Sequence, residues 1–182
     1  MFRLDTWDEP QTFMHNRFSA TNNAEPQDAK QVWFSGVHAD IGGGYPEEES
    51  GLSKFPLIWI IEEAVKHGLA VDPRTVNQLA WGVPRKGSPF SYVRPDIMRD
   101  PHDSMSTVWR LLEWLPKNDK YKEWPARRSV LGHYLPNAEP RFIPPGAFIH
   151  QSVIDRMAAV PSYTPENLPE KRSIVRSSSG PG

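Results

Sequence analysis

The chain has 182 residues, 21 Lys plus Arg against 22 Asp plus Glu, 38% apolar residues and no cysteine. This length fits one domain or part of a larger one, and a net charge of −1 gives no broad attraction to nucleic acid or an anionic membrane surface. Without thiols, disulfides, thiolate zinc sites, iron–sulfur clusters and a cysteine nucleophile are excluded, while the redox compartment stays open. The longest wholly apolar run, Leu57-Ile58-Trp59-Ile60-Ile61, falls far short of the roughly 20 residues of a membrane span. The first ten residues, MFRLDTWDEP, hold no apolar core of the kind a secretory signal needs. The reading is a chain soluble as made, with no transmembrane segment and with localisation and export left open.

The first strong element is Gln31-Val32-Trp33-Phe34-Ser35-Gly36-Val37, rich in β-branched and aromatic residues and apolar on both faces. It predicts a buried strand of a parallel sheet ending at His38. After the glycines at 42–44, residues 53–68 carry helix start and stop marks: Ser53 as N-cap, Pro56 in the first turn and Gly68 as the stop. Leu57, Ile61, Ala64 and Val65 share one face, and Ile58 and Ile60 widen it, which predicts a well-buried helix.

Prolines are about twice as frequent as the roughly 5% norm. They recur from Pro73 through Pro84, Pro89, Pro95, Pro101, Pro116 and Pro125 to Pro136, leaving room only for short elements. Residues 104–115 predict a second amphipathic helix, stopped by Pro116. A shorter one is expected from about Ile149 to Ala159, ended by Pro161. Residues 170–182, closing on Ser-Ser-Ser-Gly-Pro-Gly, read as a disordered tail.

The segment with chemical content is Val37-His38-Ala39-Asp40-Ile41-Gly42-Gly43-Gly44-Tyr45. A histidine just beyond a parallel strand stands where such sheets place their ligand crevice, and imidazole can take and return a proton near neutral pH. The glycines match neither dinucleotide nor phosphate-loop spacing, so no nucleotide cofactor is expected. His38 and Asp40 could both ligate a metal, but no third ligand stands at a suitable spacing, and no metal is expected.

Residues 31–45, followed by Leu52-Ser53 and the helix carrying Leu57, Trp59 and Ile60, resemble the C-terminal part of an uncharacterised α/β-hydrolase domain. That domain is widespread in bacteria and fungi and shared with the phospholipase effectors of type VI secretion. The resemblance continues in Pro101-His102-Asp103-Ser104, the Trp109-Arg110-Leu111-Leu112 helix, Ile149-His150-Gln151-Ser152-Val153, Arg156 and residues 163–169, and covers about residues 1–169. It implies an α/β fold, the C-terminal portion of an α/β-hydrolase with one or two parallel strands plus helices. Within residues 1–169, a 31–68 core would be followed by a proline-rich, largely irregular and helical extension over 69–148.

The resemblance also implies a serine-hydrolase mechanism on an ester or lipid-like substrate, with His38 as the catalytic base. The G-x-S-x-G elbow of such enzymes is absent from these residues, and their triad runs Ser, then Asp or Glu, then His. The serine is therefore expected from an upstream hydrolase segment or a partner chain, and the 182 residues alone are expected to turn over negligible substrate. Asp8 is the first candidate for the triad acid. Asp40 is the second, since a neighbour two residues away seldom reaches the far imidazole nitrogen, and it suits capping backbone amides instead. His102 and His150 precede helices and read as structural, with Asp103 or Ser104 as caps. The alternative reading is a binding or regulatory module that has kept a hydrolase fold without its chemistry.

Overall fold

The computed structural model describes residues 30–103, 114–122, 124, 127–136 and 140–182. Along the chain run β1 (Val32–Trp33), α1 (His38–Gly42), a 3-10 turn (Glu47–Glu49), α2 (Lys54–Lys66), α3 (Pro73–Leu79) and β2 (Lys117–Asn118). A second 3-10 turn (Asp119–Tyr121), β3 (His133–Tyr134), β4 (Phe148–His150), α4 (Gln151–Ala159) and β5 (Ser173–Val175) follow. Strands β1, β4 and β5 form a parallel sheet in the order β1-β4-β5, with Trp33 opposite Ile149 and Ile149 opposite Ile174. Parallel neighbours need a crossover, and α4 supplies it between β4 and β5. Strands β2 and β3 pair separately as an antiparallel ladder. The architecture is α/β, with helices around a small parallel sheet.

The core centres on β4. Ile149 is fully buried and packs with Ile143 and Val153, flanked by Trp33, Ala147, Met157, Tyr163 and Leu168.

Several elements differ from the sequence expectation. The strand expected over 31–37 stops at Trp33, because the chain bends at Ser35 and Gly36, where Gly36 adopts φ +116°. The helix expected from about Ile149 begins at Gln151, since Phe148–His150 is taken up as the central strand. The stretch read as a tail carries β5 and is tied down beyond it: Ser178 donates to Glu62, and Asn77 donates to the Gly182 carbonyl. Serine-rich composition conceals a three-residue strand whose backbone pairs along β4 and the Ala147 carbonyl just before it.

Helix α2 ends as expected, in a Schellman turn with Gly68 at φ +93°: the Leu69 amide bonds the Ala64 carbonyl and the Gly68 amide bonds that of Val65. Its start differs, because the Ser53 hydroxyl donates back to the Ser50 carbonyl instead of capping the helix. Its buried edge also differs. Lys54, Pro56 and Ile58 are buried, whereas Leu57, Ile60 and Val65 are exposed. The Lys54 ammonium sets that rotation by reaching inward to the Leu79 carbonyl at 2.9 Å and to Glu47 at 2.8 Å. Helix α3 opens on Asp72, which accepts from the Arg74 amide, with Pro73 in the first helical position. The helix expected over 104–115 lies largely outside the described residues.

Because β4 is buried between two strands, Ile149→Ala should destabilise the chain by about 2–5 kcal/mol in urea unfolding. Ile174→Ala, on the exposed edge strand, should cost less than about 1 kcal/mol. Equal losses at the two positions would contradict this placement of the core.

Candidate functional site

The end of β1 leads into a turn organised by one carboxylate. Asp40 is 2% exposed and occupies the third position of α1, where its Oδ2 accepts the Val37 amide at 2.9 Å. An acidic group in the first turn satisfies an amide that the helix leaves open and complements its positive end. The same oxygen accepts the His102 amide at 3.1 Å, and Oδ1 lies 2.7 Å from His102 Nδ1. On the other side of that ring, Nε2 lies 3.0 Å from Glu49 Oε2, and the Tyr45 ring stacks on it with centroids 3.5 Å apart and planes 16° from parallel.

Carboxylates only accept, so contacts at both ring nitrogens require both to carry protons. His102 is accordingly raised above its ordinary 6.5, by the hydrogen bond to Asp40 first and that to Glu49 second, with burial opposing. While it holds both protons, the ring is an imidazolium bridging two carboxylates.

Of the expected site residues, His38 opens α1 and is exposed, and no hydrogen bond to its ring is made by the described residues. Asp40 caps the Val37 amide and turns its carboxylate toward His102. Two residues apart on a helix, Asp40 and His38 do not face each other. Asp8 lies outside the described residues. His102, read from sequence as a helix-preceding residue, is the group that joins this site. Its partner is 62 positions away, and no local pattern carries that pairing.

A second histidine cluster lies at the sheet end. His150 is buried, caps α4 by accepting the Ser152 amide at Nδ1, and stacks on Phe34 with centroids 4.7 Å apart. With Nδ1 accepting, the ring proton sits on Nε2 and is donated to the Ser177 hydroxyl at 3.1 Å. Burial holds this imidazole below 6.5, against the raising effect of Glu62 and Asp155. A narrow cleft beside it is lined by Phe34, Ser35, Leu52, Phe55, Ile97 and Ser152. Among the described residues no helix is long and apolar enough to cross a membrane.

Residues 1–63 match a family model described as "T6SS, Phospholipase effector Tle1-like, catalytic domain". This stretch includes the His38 turn, Asp40, Tyr45, Glu49 and most of α2, and links the chain to a phospholipase effector family. The chain is also 35% identical over 82 residues to "Uncharacterized protein YEL023C" of Saccharomyces cerevisiae (strain ATCC 204508 / S288c). That match covers 43% of this chain and 11% of the yeast protein. No solved structure matches the chain.

Gly36 has no room for a side chain: a Cβ there would stand 2.4 Å from that of Asp40, at φ +116°. Gly36→Ala should therefore cost about 2 kcal/mol or more in denaturant unfolding, from left-handed strain together with the clash. Gly43→Ala, at φ +81° with open space around it, should lose only the strain, about 1 kcal/mol. The two variants unfolding alike would remove the steric part of this account.

His150 carries a pH prediction. Its folded value lies below the unfolded one, so its stabilising contribution is complete above pH 6.5 and is lost as pH falls through the folded value. Thermal unfolding midpoints should drop over that acid window in the parent chain and drop less in His150→Asn, which keeps a side-chain acceptor for the Ser152 amide.

Proposed function

We propose that this chain is the histidine-bearing part of a serine-dependent ester hydrolase, with His38 as its catalytic base. The observation that carries the reading is an exposed imidazole just past a parallel strand, on a turn fixed by a buried carboxylate, within the stretch matched by a phospholipase-effector catalytic model. The fold reading that goes with it is the C-terminal portion of an α/β-hydrolase. Among the described residues β1 pairs only with β4, which leaves its other edge for a strand of the serine-bearing segment.

In this mechanism the serine oxygen attacks the ester carbonyl while His38 takes its proton. The tetrahedral intermediate collapses, and His38 returns the proton to the departing alcohol. Water, deprotonated by the same ring, then attacks the acyl-serine carbonyl; the acyl–serine bond breaks to release the acid, and His38 returns the proton to the serine oxygen. No G-x-S-x-G occurs in the 182 residues, so the serine belongs to another segment, fused or separate. Asp40 is committed to His102, which makes Asp8 the acid to test at the far nitrogen of His38. The substrate class is an ester, lipid-like in keeping with the matched family.

One observation favours a second reading. No described carboxylate orients His38, as would befit a binding module that has lost its chemistry. Sequencing the transcript upstream of the Met1 codon separates the two, because the hydrolase reading requires a G-x-S-x-G after an apolar strand in frame or in an adjacent frame. Where that segment is present, His38→Ala in the combined protein should lower kcat/KM for short-chain and phospholipid esters by about 10³-fold or more. Undiminished hydrolysis by His38→Ala would defeat the assignment, and a variant altered only in stability would support the binding module.

A further inference from the structure

We propose that His102 is a positioning residue for His38: its charged ring ties the Asp40 turn to the Glu47–Glu49 turn, and loss of the ring proton loosens that tie. The Glu47–Glu49 turn places three carboxylates in succession and is held by three cationic side chains. Lys54 pairs with Glu47 at 2.8 Å, Arg99 donates to the Glu48 carbonyl, and His102 faces Glu49 at 3.0 Å. Lysine and arginine keep their charge across neutral pH, whereas imidazole does not. His102 is thus the member of the clamp that can change charge.

The groups facing its ring are Asp40 from α1, Tyr45 from the glycine-rich loop and Glu49 from the 3-10 turn. A neutral ring keeps one proton. Placed on Nδ1, it preserves the 2.7 Å contact with Asp40 and turns the Nε2 lone pair on the Glu49 carboxylate. Like then faces like at 3.0 Å, so the Glu49 arm opens first and the Tyr45 stack loses its cationic partner. The ring's folded value lies above 6.5 through Asp40 and Glu49, so the tie is complete below pH 6.5 and is lost as pH rises through the folded value. This inference rests on the hydrolase reading only for what the turn presents. The tie itself is measurable without substrate.

The experiment is a pH titration by NMR of the histidine-labelled 182-residue chain, with exchange rates of the Glu49 and Ser50 amides, which close the turn that the Glu49 arm ties down, corrected for intrinsic chemistry. The His102 ring should titrate above 6.5 and hold its proton on Nδ1 afterwards. Across that transition the exchange of both amides should rise roughly tenfold, as expected when a hydrogen-bonded charge is lost, and the His38 backbone amide shift should move with the same midpoint. Glu49→Gln, at a half-exposed position that folding tolerates, should lower the His102 midpoint and carry the exchange transition with it. A His102 midpoint at or below 6.5, or amide exchange that stays flat through its titration, would overturn the proposal. His38→Ala should leave the His102 titration unchanged. Failed esterase assays with an intact coupling therefore remove the hydrolase reading alone, and an uncoupled His102 removes this inference alone.

Discussion

A carboxylate sealed from water is costly unless its lone pairs are filled and its charge is met. Asp40 meets both demands with groups from two segments 62 residues apart: the Val37 amide beside it, and the amide and ring of His102. Much of the surrounding geometry follows. The chain must turn sharply before Val37 to bring its amide over the carboxylate, which is why β1 stops short and why only glycine fits at position 36. The helix that begins at His38 starts there because Asp40 supplies the acceptor its first turn lacks. The far end of the irregular segment is fastened to the same atoms.

That segment, between α3 and residue 103, has neither helix nor strand and still has an assigned place. Proline removes amides from ladders, and the remaining backbone groups need partners elsewhere. Side chains provide many of them. Glu47 accepts the Val93 amide, Gln78 donates to the Ser88 hydroxyl and the Phe90 carbonyl, and Arg156 donates to the carbonyls of Ile97 and Arg99. Arg156 is 2% exposed, with its guanidinium 4.9 Å from the Tyr163 ring centroid. Its charge is met by carbonyl dipoles and an aromatic face, with the Asp100 carboxylate more distant at 3.9 Å. Side chains from the first 3-10 turn, α3 and α4 thus do for this region what a sheet ladder does elsewhere.

This division explains what could be read in advance. The stop of α2 and the body of α4 were legible, since Gly68 and Pro161 act within a few residues of themselves. The rotation of α2 was not, because apolar periodicity assigns Lys54 to solvent, and the Leu79 carbonyl and the Glu47 carboxylate draw it inward from outside the helix. Strands β4 and β5 were hidden for a related reason. Three residues show no period, and parallel pairing is specified by a partner far along the chain. The histidine-and-glycine turn stood out at once as a place for chemistry, but the partner of Asp40 did not. From sequence, His102 beside a predicted helix looks like an ordinary capping neighbour.

The histidines make the last distinction. A general base needs a nitrogen that is neutral and reachable. His102 has both nitrogens against carboxylates, His150 is buried between Ser152 and Ser177, and His133 bonds the Leu131 carbonyl through Nδ1. His67 closes α2 at its C-cap. His38 is exposed and has no hydrogen bond to its ring among the described residues. The two buried or bridged rings respond to acid in opposite directions, so both hold their structural states best near pH 6.5: below it the neutral His150 is challenged, and above it the charged His102 is.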